Sequence, residues 1–467
     1  MKTKILLLAA LTVRCAFAGT PEVIVPTTST NPLSFADGRV VFDVEERLRY
    51  EFRNNAFDFN HNALPATDGS FLLQRARVGM KFEPVDWFRF YAQFQSSIEV
   101  SNRGDEPGIT GSEGDDYADL YQGYVEFANY DRFPLGLRAG RQLFNYGDQR
   151  LIGSFDWNNL GRSFDAARIR YQADKFWAEA FAASVVTIER ADFNFSDVFN
   201  WDDTDRQQVF SGIYASTDAV TAHRIDGYLL WLSQANGNVS NFGPLLGLPP
   251  AGSQGGDPAL GMNFGTLGLR LNNVPGKMHG WEYDAELAGQ AGRLAGLDLL
   301  AFALHAGGGY NFHAPWEPRI YLQYNYASGD WDSTDGRSTT FQNLFPTNHK
   351  FYGYMDLFSW QNMHNPSVTF SLKPHRTLTL AADGHLFWLA TTSDAWYRAN
   401  GLTQARPITP SADPFVGGEI DLTATWKPTT FLSLLVGYSW FLPGAYVDDT
   451  GPADPANFLY VQMELKF

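Results

Sequence analysis

Nine arginines carry the plainest chemistry in this chain: Arg47, Arg49, Arg75, Arg77, Arg89, Arg138, Arg141, Arg168 and Arg170. Most recur at every second position within short segments, and Arg53 and Lys81 follow the same spacing. A guanidinium stays charged at any relevant pH, and its planar fork binds a carboxylate through two parallel hydrogen bonds. Gathered on one surface, such groups would attract an anionic solute. Acids repeat the spacing later in the chain, at Glu282, Asp284 and Glu286 and again at Glu419 and Asp421. Bracing is the competing reading, because Asp43, Glu45 and Glu51 lie among the first arginines and could neutralise them.

Every-second-residue spacing requires strands, since successive side chains of a strand point to opposite faces. In "RVVFDVEERLRYEFRN" the charges take one face, while Phe42, Val44, Leu48, Tyr50 and Phe52 take the other, with Glu46 the exception. "FLLQRARVGMKFEP" and "WFRFYAQFQSSIE" repeat the pattern, and fifteen further segments follow it to "NFLYVQMELKF" at the end. Roughly eighteen strands of about 9–14 residues are expected, a length that lets a tilted strand cross a bilayer. Their connections alternate between short turns such as "EPVD" and "KPTT" and long loops such as 144–163 and 329–364. The expected fold is all-β: one transmembrane antiparallel β-barrel of about 18 strands, with short periplasmic turns and long extracellular loops.

Composition supports this. Aromatics make up 15% of 467 residues, yet past the N-terminus no apolar run is long enough for a membrane-spanning helix. A formal charge of −16 argues against nucleic acid as a partner. Residues 1–18 read as a signal peptide, with Lys2 and Lys4 before an apolar stretch and Ala16-Phe17-Ala18 at the cut. Residues 19–38 then form a periplasmic lead and 39–467 the barrel, in the bacterial outer membrane. Removal of the leader takes Cys15, the single cysteine, with it. The apolar faces meet lipid and the charged faces line the lumen. In a ring of about eighteen strands the second faces the eleventh, so the arginine wall would look across at Glu282, Asp284 and Glu286.

No zinc-protease motif, cysteine cluster or glycine-rich phosphate loop is present, and no enzyme activity, cofactor or metal is expected. His305 and His385 fall on lumen faces with Asp383 nearby, but no strand serine completes a nucleophilic set. The acids of loop 100–116, among them Asp105, Glu106, Glu113, Asp115 and Asp116, lack calcium-loop spacing and read as solvated charge. With only short turns on the periplasmic side, the pore reads as open or gated from outside.

From Arg138 to Tyr171 the chain runs "RAGRQLFNYGDQRLIGSFDWNNLGRSFDAARIRY". Gly140, Arg141, Gln142, Gly147, Arg150, Trp157, Phe164 and Asp165 together resemble the alginate-export family of outer-membrane channels. That resemblance implies an eighteen-stranded barrel with an arginine-rich lumen that passes a polyuronate outward. It singles out Arg75, Arg77, Arg141 and Arg170 for solute contact, although Arg141 falls off the alternation of its strand. The terminal Phe467 resembles the signal read by the barrel-assembly machinery. Expected partners are therefore outer-membrane lipid, that machinery, and an anionic oligo- or polysaccharide or small anions. The function expected is passive transport of an anionic polysaccharide or other anionic solute. The alternative is a general or anion-preferring diffusion porin for small solutes.

Overall fold

The computed structural model describes residues 32–63, 68–101, 116–188, 202–235, 256–257 and 260–467. Eighteen long strands form the wall. The first six are β1 (Val40–Asn54), β2 (Gly69–Val85), β3 (Phe88–Ser101), β4 (Asp116–Asn129), β5 (Phe133–Gln142) and β6 (Phe164–Gln172). Next come β7 (Phe176–Thr187), β8 (Gln208–Thr217), β9 (His223–Gln234), β10 (Met262–Asn273), β11 (Trp281–Leu294) and β12 (Leu297–Asn311). The last are β13 (Arg319–Ala327), β14 (Met363–His375), β15 (Leu378–Leu389), β16 (Phe415–Trp426), β17 (Leu432–Pro443) and β18 (Ala456–Lys466). Each pairs antiparallel with its neighbour, and β18 returns to β1 with Met463 opposite Leu48, so the sheet closes into a barrel without a free edge. The eighteen segments expected from alternation all stand as strands.

The two faces differ as the alternation requires. Along β2, Phe71, Leu73, Arg75, Arg77 and Lys81 point inward and are buried, whereas Leu72, Val78 and Phe82 point outward and are exposed. Leu229, Leu267, Leu287, Phe302, Leu322, Ile420 and Val461 continue this apolar band around the outside. Trp87, Phe133, Trp281, Trp316 and Phe431, all beside short turns, give that rim an aromatic girdle suited to the lipid–water boundary. Glu46 does face outward, and Gln74 of β2 donates to its carboxylate at 2.7 Å. That bond moderates the polar intrusion of Glu46 on the greasy face of β1.

Two features depart from the expected connectivity. On the rim that carries the long loops, β11 joins β12 through the two-residue turn 295–296, where both Ala295 and Gly296 have positive φ. Further, segments 143–163 and 328–362 do not stand above the mouth; they fold into the lumen and pair with each other. Gly153 donates to the Phe345 carbonyl at 2.8 Å, Phe345 to Leu151 at 2.9 Å and Thr347 to Gln149 at 3.0 Å. Around this contact Phe144, Leu151, Ile152, Phe341, Leu344, Phe345 and Trp360 form an apolar core inside the outer half of the barrel. Eighteen strands enclose more space than wall side chains can fill; the inserted segments fill it.

The lipid-facing band gives a direct prediction. Leu267 is 66% exposed at the middle of β10. Leu267→Arg should destabilise the barrel by about 2–4 kcal/mol when measured by reversible refolding into lipid vesicles.

Candidate solute pathway

The inserted segment 143–163 is held from the wall side by its own backbone. Five consecutive carbonyls, Asp156 to Leu160, each accept a hydrogen bond from a strand side chain. Arg47 donates to the Asp156 carbonyl at 2.7 Å and Arg75 at 2.9 Å. Arg49 reaches the Trp157 carbonyl at 2.7 Å, and Arg47 and Arg75 reach that of Asn158 at 3.0 and 3.1 Å. Ser97 supplies the Asn159 carbonyl at 2.8 Å and Gln95 the Leu160 carbonyl at 2.7 Å. Such an irregular stretch cannot pair its carbonyls within itself, and buried orphans are costly. The strand side chains satisfy them.

Side chains reinforce the dock. Arg77 donates to the Asp156 carboxylate at 2.7 Å, and Arg75 lies 3.1 Å from the same oxygen while also binding Glu45. Burial acts to raise the Asp156 carboxyl, but Arg75 and Arg77 outweigh it and hold it well below the usual carboxylate range. Trp157 is sandwiched, with the Arg49 guanidinium 4.0 Å above its ring and His349 stacked at 3.8 Å. Arg49 also binds Glu51 at 2.6 Å, and Arg53 binds the same carboxylate at 3.3 Å. Gly147 and Gly161 turn the segment, with φ +58° and +76°. A side chain on Gly161 would also sit 2.6 Å from the Tyr121 hydroxyl.

Arg162 joins the two inserted segments. It donates to the Gly153 carbonyl and to the Pro346 carbonyl, each at 3.0 Å. Burial pushes its guanidinium down to about 9. Arg150 extends to the far wall, donating at 3.1 Å to both Asn325 and the Tyr352 hydroxyl, with Asp148 at 3.0 Å. Neither residue stood among the candidate solute contacts; both lie in the family-like motif, which was the one signal available for them.

The expected view from arginine wall to acidic ladder does not exist, because the inserted segments stand between them. The acids find nearer partners. Asp284 pairs with Arg270 of β10, with an Nε–Oδ1 distance of 3.1 Å, and Glu282 pairs with Arg319 at 2.5 Å. Glu286 accepts from the Tyr228 hydroxyl at 2.6 Å. Arg270 was legible from alternation, since Thr266, Arg270 and Asn272 share the buried face of β10.

The arginine candidates thus divide into three places. Arg47, Arg49, Arg75 and Arg77 are at most 5% exposed and face the inserted segment. Arg141 is held at the long-loop end of β5, where it binds Asp165 at 3.0 and 3.1 Å and the carbonyls of Leu120 and Asp202. Arg141 follows the alternation of its strand: it stands opposite Asp165 in the β5–β6 register, on the face opposite that of the inward Gln142 and Phe164, and so not among the lumen-facing arginines. Arg89, Arg138, Arg168 and Arg170 line a cavity of about 200 Å³ near the short turns, together with Glu126, Glu179, Tyr130 and Gln172. Arg89 binds Glu126 at 2.7 Å, Arg138 binds it at 3.1 Å, and Arg168 lies 3.3 Å from Glu179. Arg89 and Arg170 keep 40% and 28% of their side chains exposed, so this vestibule presents charge to whatever enters.

A closed ring of antiparallel strands, an apolar exterior and a charged interior partly filled by its own loops define an outer-membrane β-barrel channel. The sequence profile of the alginate export family matches residues 39–460, and the chain belongs to that family. It is a substrate-translocating channel rather than an enzyme, set in outer-membrane lipid by the assembly route of that barrel class. No curated protein matches the chain by sequence. Solved structures share its fold. OprD of Pseudomonas aeruginosa is 11% identical with a TM-score of 0.58, over 92% of this chain and 93% of that one. OccAB4 of Acinetobacter baumannii is 11% identical at 0.57, over 91% and 98%. OpdK of Pseudomonas aeruginosa, solved with vanillate, is 11% identical at 0.56, over 91% and 98%. The leader at 1–18, most of the lead at 19–38, and Asp105, Glu106, Glu113 and Asp115 lie outside the described residues.

The dock predicts a pH response and a mutant phenotype. A carboxylate with a lowered value stabilises its contacts above the unfolded value and loses them only as pH falls through the lowered one. Conductance in planar bilayers should therefore stay flat from about pH 8 to about pH 5. Arg162→Ala, by uncoupling segments 143–163 and 328–362, should raise the mean conductance and add frequent transitions between levels.

Proposed function

We propose that the channel is an anion-preferring diffusion porin that takes small carboxylate-bearing solutes through its short-turn vestibule. The observation that carries this reading is the charge of the vestibule: four guanidiniums against two carboxylates line one open cavity, with Glu83 bound to Arg89 at 2.5 Å beside it. Low-dielectric walls focus that excess and raise the local concentration of anions. The carboxylate carried by vanillate in the OpdK structure is the kind of group such a vestibule would take. Packing of the outer half by segments 143–163 and 328–362 also suits small solutes better than a continuous polymer.

Export of an acidic polysaccharide is the second reading, favoured by the family match over residues 39–460. On that reading Arg47, Arg49, Arg75 and Arg77 contact solute only after the inserted segment withdraws. Phe467, 46% exposed at the end of the closing strand, is then as before the contact offered to the assembly machinery.

Reversal potentials in a salt gradient separate the roles. Arg89→Gln with Arg170→Gln should shift ion preference several-fold toward cations while conductance is kept. Arg75→Ala with Arg77→Ala should instead change conductance and gating, because Asp156 loses its anchors. Unchanged ion preference in the vestibule variant would refute the proposed site. Block by long oligouronates, but not by matched neutral glucans, would favour the polymer reading.

A further inference from the structure

On the rim that carries the long loops, the outer wall changes from apolar to polar within one residue step. Ser233, Asn263, Arg293 and Asp298 stand opposite one another in register across β9, β10, β11 and β12. The short strand piece Arg337–Ser338 runs parallel beside β12 and sets Arg337 next to Asp298. One step nearer the membrane centre, the same four strands present Trp231, Gly265, Ala291 and Leu300. Both rows face lipid, since Arg293 shares its face with the exposed Leu287, and Asp298 with the exposed Leu300 and Phe302. The Trp231 indole donates to the Asn263 side chain at 2.7 Å. A tryptophan with its body among apolar residues and its N–H on a polar row marks a lipid–water boundary.

Two cations in the polar row keep donors to spare. Arg293 lies 3.1 Å from Asp298, with the two side chains 65% and 63% exposed, and otherwise reaches only the Gly296 carbonyl, at 3.5 Å. Arg337 is exposed, and among the described residues its guanidinium makes no hydrogen bond or ion pair. The nearby acids of the connection accept local bonds: Asp335 from the Arg337 amide at 2.8 Å, and Asp332 from Thr334 at 2.6 and 3.0 Å. Arg293 and Arg337 flank Asp298 on strands about 10 Å apart, a span that two such side chains close around one oxyanion. Below them the wall is shallow. Gly289 sits between Leu267 and Phe302, and a side chain there would meet nothing within 4 Å.

We propose that Arg293 and Arg337 clasp a phosphate of the phosphorylated glycolipid of the outer leaflet, with its acyl chains laid along Ala291 and Gly289. A cationic edge directly above an apolar slot fits an amphiphile with an anionic head, where a soluble anion would use the edge alone. Each guanidinium offers phosphate two parallel hydrogen bonds, which fixes the headgroup as well as attracting it. The site lies on the outside of the barrel, independent of the solute and of its direction.

The test uses the full chain in detergent micelles containing EDTA, with fluorescent bisphosphorylated lipid A followed by anisotropy. A single saturable site is expected, from which neither dephosphorylated lipid A nor phosphatidylglycerol in excess displaces the probe. Arg293→Gln with Arg337→Gln should weaken binding at least several-fold, with heat-shifted gel migration confirming a folded barrel. Asp298→Asn, which releases Arg293, should tighten it. Arg206→Gln, at an exposed arginine beside Asp203 on the same rim, should leave it unchanged. The proposal is overturned if the folded double variant binds as the native chain does, or if either competing lipid displaces the probe as well as lipid A. It is equally overturned if binding disappears in EDTA, if Asp298→Asn weakens it, or if Arg206→Gln costs as much as the double variant.

Discussion

The structure depends on how the backbone of 156–160 is received. A barrel of eighteen strands leaves an interior too wide for side chains to close, and a chain entering it brings peptide groups with no ladder to join. Arg47, Arg49, Arg75, Gln95 and Ser97 supply the missing donors. Arginine suits the task because its fork reaches two carbonyls at once, as Arg47 and Arg75 both do with Asp156 and Asn158. A lysine there would offer a point charge without the spread. With the segment seated, Ile152 pairs with Phe345, which ties the second insertion to the first.

This constraint divides the lumen along its axis. Toward the long loops, charges are used up in holding chain: Glu45, Glu51 and Asp156 balance the arginines of β1 and β2; on the far wall Arg270 and Arg319, nearer the short turns, balance the acids of β11. Toward the short turns, no segment is inserted among the described residues, and Arg89, Arg138, Arg168 and Arg170 outnumber Glu126 and Glu179 in the cavity lining. One strand pattern thus performs two tasks, bracing where a loop lies against it and presenting a field where water does.

The wall was legible in the sequence and the filling was not. Strand positions follow from local alternation, which reports only which face of the sheet a residue occupies. Both faces of β1 and β2 could be read to the residue, the outward Glu46 included. What those arginines touch is set by contacts far apart in the chain: Arg47 meets Asn158, Arg150 meets Asn325, and Arg162 meets Pro346. No local period encodes such pairs. Arg141 shows the same limit at shorter range, since alternation places its face but not Asp165, Asp202 and Leu120, which hold it there. The motif "GRQLFNYGDQRLIG" was informative for a physical reason that only the structure exposes. It spans the strand end and turns that carry the chain into the lumen, where Gly147 at φ +58° and Arg150 against Tyr352 leave little freedom to vary.

The difference between the two ends bears on gating. Periplasmic closure would need a long turn on the inner rim, and the connections there, such as 173–175 and 376–377, are short. The outer half is closed by two segments that share hydrogen bonds with each other and with the wall, so moving either one strands buried carbonyls on both. Opening by small side-chain shifts would not release them. The geometry favours displacement of the paired segments as a unit, with Asp156 leaving Arg75 and Arg77 in the same step that exposes Arg47 and Arg49 to the lumen. On the proposed reading, a solute carboxylate arriving from the vestibule would offer those four guanidiniums the same oxygens that the loop withdraws, and that exchange would make anion entry and loop release one equilibrium.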